Sequence, residues 1–206
     1  MPTVSSPIRL CIPLALVCLT WASTVRSQSP AEAKTVAGKT VEQYAKLVES
    51  ENRTVRLRAA KSLGAFGQVA GKALTQALGH TDRAVQYTAA VHLGRIGGDA
   101  LRDAKAKLAE LAESKQSLAL RMAGAFALCK AGETEKRLAV LTGALTYPDR
   151  GTACSAAELI GMLGPDAKAA IAPLEAVYVE HKPGKKGGDY HIGGAANNAL
   201  RKIRGE

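Results

Sequence analysis

Aromatic side chains are scarce: two Phe, five Tyr and one Trp are 4% of the 206 residues. Few rings mean few platforms for stacking unpaired bases. The apolar run from Leu10 to Ala22 is about 13 residues, short of the roughly 20 that a membrane-spanning helix needs. No phosphate loop, nucleophile elbow, paired-carboxylate motif or dinucleotide fingerprint occurs. The Gly-Lys pairs at 38–39 and 71–72 lack the rest of a phosphate loop. Of the four histidines, His80 reads as a solvated turn residue and His92 as a packed one. His181 and His191 share a Gly-rich stretch with Asp189, but no Cys or Glu completes a metal-ligand set there. No catalytic residue, metal site or cofactor is expected.

What is present at the start is a single charge, Arg9, then the short apolar run, then small polar residues. That order predicts a signal peptide over residues 1–27 and a periplasmic or secreted protein. A small, polar, flexible linker follows over 28–39. The chain has 28 basic and 18 acidic residues. Removing Arg9 and Arg26 leaves 26 basic against 18 acidic, a net charge of +8. No transmembrane segment is expected in the mature chain. Cys129 and Cys154 then remain. They sit nine frame positions apart on equivalent helices, about 13 Å along the axis. A disulfide needs Cα atoms within about 7 Å, so both are expected to be free.

The chain repeats itself. VRLRAAKSLGAFG at 55–67 returns as VQYTAAVHLGRIG at 85–97, LALRMAGAFALCK at 118–130 and TACSAAELIGMLG at 152–164. A degraded copy, IGGAANNALRKIR, covers 192–204. Such a period means stacked repeats. Val55, Ala59, Leu63 and Phe66 form a helical stripe, not a strand alternation. Ala59-Ala60, Ala89-Ala90 and Ala156-Ala157 keep the helix thin. Gly64, Gly94 and Gly161 are expected to admit the next repeat, and Gly67, Gly97 and Gly164 to end the helix. Asn52, Asp82 and Asp149 fall at N-cap positions. Each frame is helix B of a two-helix unit. Helix A precedes it, as in Tyr44-Ala45-Leu47-Val48 and Ala73-Leu74-Ala77-Leu78. The stretch from His181 to Gly194 reads as an irregular insert in the fifth unit.

The frame V-R-x-x-A-A-x-x-L-G-x-[FI]-G, with Asp or Asn shortly before it, resembles the short bacterial HEAT repeats, often called phycobilisome-lyase-type HEAT-like repeats. The resemblance covers 40–206. The third copy departs from it, with Met122 in the Ala-Ala pair and Ala127 for Gly. It implies an all-α, right-handed α-solenoid of about five two-helix HEAT-like repeats. It also implies macromolecular binding without catalysis, with the B helices lining a concave face. The wheel positions opposite the core stripe then give a partner-binding ridge: Leu57, Lys61, Tyr87, Val91, Arg95, Leu120, Leu128 and Met162. Cys154, Glu158, Asn198, Arg201 and Lys202 continue the same wheel positions. The expected occupant is a peptide or helix of a protein partner, anchored on Tyr87, unless tight curvature buries the ridge. A second reading assigns polyanion binding to Lys182, Lys185, Lys186, Arg201, Lys202 and Arg204, grouped near one end. Scattered charge elsewhere, few aromatics and the expected export disfavour nucleic acid.

Overall fold

The computed structural model describes residues 34–115 and 117–206. The expected signal peptide, 1–27, and linker residues 28–33 lie outside the described residues. Among the described residues, ten α-helices follow one another as five antiparallel pairs. The A helices are α1 (Val41–Val48), α3 (Gly71–Ala77), α5 (Gly98–Ala112), α7 (Thr134–Ala144) and α9 (Ile171–His181). The B helices are α2 (Arg53–Leu63), α4 (Arg83–Ile96), α6 (Leu118–Leu128), α8 (Arg150–Leu163) and α10 (Tyr190–Arg204). Each B helix packs on its own A helix and on the B helix of the next unit. The fold is an all-α stack with neighbour-to-neighbour packing, consistent with a HEAT-repeat solenoid.

The B helices start where the sequence places their caps. Asn52 accepts from the Thr54 and Val55 amides, Asp82 from Ala84 and Asp149 from Thr152. Ser117 and Asp189 do the same for α6 and α10. The caps also join units. Asp82 Oδ2 accepts from Arg56 Nε at 3.2 Å and Nη2 at 2.8 Å, so the first unit's arginine grips the second unit's cap. Gln68 works at the other end. Its Nε2 donates to the Gly97 carbonyl at 2.9 Å and its Oε1 accepts from the Ala100 amide at 2.9 Å.

Glycines set how closely successive B helices approach. A Cβ at Gly64 would lie 2.1 Å from His92 Nδ1. One at Gly94 would lie 2.7 Å from the Phe126 ring, and one at Gly161 3.0 Å from Ala199 Cα. Gly97 and Gly164 end their helices at φ 66° and 64°, conformations that a β-carbon disfavours.

The insert is shorter than the sequence suggests. His181 closes α9, and Tyr190 to Gly194 belong to α10, leaving 182–189 as the loop. The reason is local. Asp189 caps α10, and its own amide donates to His181 Nδ1 at 2.9 Å. Gly193 then seats directly over the His181 carbonyl. At the other end, Val36 and Lys39 bridge a tight turn, and the Tyr44 hydroxyl donates to the Val36 carbonyl at 3.0 Å.

The apolar interior divides into two clusters that meet on α6. Leu120, Ala123, Ala127 and Leu128 join the cluster of units one to three. Met122, Ala125, Phe126 and Cys129 join that of units four and five. Their spacings, i, i+3, i+7, i+8 and i, i+3, i+4, i+7, are two faces of one helix. A helix covered on both faces is apolar all round. This explains why the third copy leaves the frame.

Candidate functional site

The ridge expected on the B helices is only partly open. Lys61 and Arg95 are exposed, as are Glu158, Asn198, Arg201 and Lys202. Leu57, Tyr87, Val91, Cys154 and Met162 are half-buried. Leu120 and Leu128 are not surface residues: they are 5% and 0% exposed, packed in the first cluster. Their place on α6 is covered from both sides, so they offer no wall to a partner. Val91 packs against both clusters.

Tyr87 is the informative residue. It belongs to the second unit, yet it lines the same cleft as Ser155 of the fourth. Residues two units apart on one cleft require the stack to bend toward this face. Burial, reinforced by the Glu158 carboxylate, pushes the Tyr87 phenol above its ordinary range. Curvature therefore covers the middle of the ridge and leaves a cleft beside it, of about 510 Å³. Tyr87, Ala84 and Ala119 form its apolar wall over the nearly buried Leu120 and Met122, and Arg53, Arg83, Asp82 and Asp149 lie around its rim. The cleft runs across the N-terminal ends of α2, α4, α6 and α8. Met122 stands where the other copies have alanine. A second groove, about 270 Å³, lies between α8 and α10, where Glu158, Met162, Asn198 and Lys202 meet.

His92 lies between Gly64 and the two exposed cations of the ridge. Burial, then the charges of Arg95 and Lys61, hold its imidazole below the ordinary range. His80 is not a solvated turn residue. Its side chain is 10% exposed, and Nδ1 accepts from the Asp82 amide at 2.8 Å. His80 and His181 thus do the same job, each holding the amide of a capping aspartate. Cys129 and Cys154 are free thiols. Burial pushes the Cys129 thiol up to about 11, out of the range of a reactive thiolate. Among the described residues, no group of three or more His, Cys, Asp and Glu is placed to hold a metal ion.

The basic residues of the second reading are divided by the fold. Lys182, Lys185 and Lys186 lie in the loop before α10, and Arg201, Lys202 and Arg204 lie in its last turns. The two groups are about 17 Å apart along the axis. Arg204 is moreover paired with Glu175. Adjacency in the chain did not become one patch, because a straight helix separates its ends.

Paired helices, cross-unit caps and B-to-B packing define an α-helical repeat stack. Residues 41–129 match the family model for HEAT repeats, which are typically protein-binding scaffolds and usually non-catalytic. The match names no phycobilisome-lyase subtype. No curated protein matches the chain. One similar solved structure is a crystal structure of an engineered protein from the Northeast Structural Genomics Consortium. It is 23% identical over 79% of this chain and 78% of its own, with a TM-score of 0.49. No helix among the described residues is long and apolar enough to cross a membrane.

Proposed function

We propose that this chain is an exported, non-catalytic scaffold that holds a protein partner on the face lined by its B helices. The observation that carries this reading is the cleft at Tyr87 and Met122. It has an apolar wall and a charged rim. The half-buried Leu57, Val91 and Met162 extend apolar surface to either side. An apolar centre with a polar rim is the usual anatomy of a protein interface. Export rests on the charge-then-apolar order at residues 9–22. The short bacterial, phycobilisome-lyase-type reading of the repeats rests on the frame and its period.

The test compares capture of envelope proteins by the tagged wild-type chain and by an Arg53→Glu, Ala119→Glu, Tyr87→Glu variant. The first two positions are exposed and the third half-buried, so helicity is expected to be retained and is checked by circular dichroism. A protein held by wild type through high salt and lost by the folded variant supports the reading. A variant that captures every partner normally sinks it. Capture that vanishes with salt and ignores the variant transfers the role to the basic residues of α10 and its loop.

A further inference from the structure

Charges that read as scattered along the chain are sorted by layer in the fold. The five B helices carry eleven Lys and Arg against one acid, Glu158. The five A helices carry seven of each sign. Ten of the eleven B-helix cations are exposed, and the other, Arg56, is engaged with Asp82. The capping aspartates lower this excess without cancelling it. Three of the helices around the cleft, α2, α4 and α6, contain no Asp or Glu. Arg53, Arg83 and Arg150 each take the first helical position. A cation there runs against the helix dipole, so helix stability does not account for its recurrence. The A helices α1, α5 and α7 instead hold Glu42, Asp99 and Glu135 in their first turns, as the dipole favours. At the cleft the acids are turned inward. Asp82 Oδ1 accepts from the Ala84 amide and Oδ2 from Arg56. Asp149 Oδ2 accepts from the Thr152 amide and hydroxyl, each at 2.8 Å. Arg53 is 67% exposed and reaches Asp82 only at 3.5 Å.

We infer that the cleft takes an acidic segment of a protein partner, with an apolar side chain at its centre. This rests on the reading of the B-helix face as a protein-binding face and states the chemistry of what it holds. The apolar side chain packs on Tyr87, Ala84 and Ala119, and carboxylates beside it meet Arg53 and Arg83 on the rim. A guanidinium receives a carboxylate through two parallel hydrogen bonds. The wider excess of positive charge on the B helices draws an acidic chain toward this layer and turns away basic ones. A nucleic acid fits less well. Its evenly charged backbone would face Asp82 and Asp149, and the cleft offers a single ring, Tyr87, for stacking.

The test selects a random peptide library on the immobilised full chain and measures the selected peptides by fluorescence anisotropy. The expected peptides are enriched in Asp and Glu around an apolar residue. Arg53→Gln with Arg83→Gln should weaken them roughly tenfold, the effect of losing two exposed charge pairs. Lys72→Gln with Lys136→Gln removes as much charge from exposed A-helix positions and should leave them unchanged. Circular dichroism checks that each variant is folded, and Arg53→Gln alone repeats the test with a smaller loss. Neutral or basic peptides that are lost on the Arg53→Glu, Ala119→Glu, Tyr87→Glu variant overturn this inference and leave the scaffold reading standing. Acidic peptides weakened equally by the arginine pair and the lysine pair overturn it too, because the attraction is then one of net charge alone. A single-stranded oligothymidylate that binds more tightly than every selected peptide, and is weakened by the arginine pair, makes this a nucleic-acid surface and also overturns it. A library that yields no binder overturns both this inference and the scaffold reading.

Discussion

At the scale of single residues, this molecule is governed by where a β-carbon fits. A β-carbon at Gly94 would lie 2.7 Å from the Phe126 ring and 3.0 Å from the Ala127 backbone. Gly94→Val should therefore cost about 1–3 kcal/mol through overpacking. Gly143, where an added β-carbon would meet no other part of the fold within 4 Å, should accept alanine with a gain of about 0.4–1 kcal/mol. Urea unfolding midpoints of the two variants check both signs. His92 supplies a pH dependence. Its folded imidazole titrates below the unfolded one, so the unfolded state binds the proton more readily. The resulting stability is fully present above the unfolded histidine range and is lost as pH falls through the folded value. His92→Gln should flatten that part of the stability–pH curve, measured by denaturation from neutral to mildly acidic pH. The close approach at Gly64, Gly94 and Gly161 was legible in the sequence, because a glycine recurring inside a helix needs a packing reason. The work of His80 was not, since nothing in the chain says which nitrogen finds the Asp82 amide.

At the scale of elements, the caps do double duty. Asp82 caps the start of its own helix and receives Arg56 from the preceding unit. The Arg56 guanidinium holds the Asp82 carboxyl below the usual carboxylate range, against the opposing effect of burial. That stability is present at neutral pH and is lost as the carboxyl is protonated in acid. Asp82→Ala should cost about 1–2 kcal/mol through the lost cap alone. Amide exchange should then quicken at the start of α4 and at the junction with α2, more than in α8 or α10. Capping residues could be placed from the sequence because an N-cap acts on amides two or three residues away. The link from Arg56 to Asp82 spans 26 residues and required the stack. The same limit shortened the insert. Its glycines suggested an irregular stretch through Gly194, but Gly193 serves contact with the His181 carbonyl inside α10.

At the scale of the whole molecule, α6 decides the behaviour. Met122 is 1% exposed and joins the second cluster at the junction. Met122→Ala should cost about 2–5 kcal/mol. The loss of exchange protection should be greater in α7, α8 and α10 than in α1 to α4. Uniform loss across the chain would show a single cooperative stack instead. Period, helix pairing, caps and the free state of both cysteines could be derived from the chain alone. Each depends on neighbours within a turn or on equivalent positions of adjacent copies. Which wheel positions stay open could not. Leu120 and Leu128 share their frame positions with half-buried Tyr87 and exposed Arg95, yet both are buried. That outcome depends on how far the stack bends and on the two-sided cover of α6, the sum of packing at every junction. Likewise, the basic residues near the end of the chain read as one group until a 15-residue helix set them apart. Local chemistry therefore wrote the units, and the angle between units decided which of their faces meets solvent.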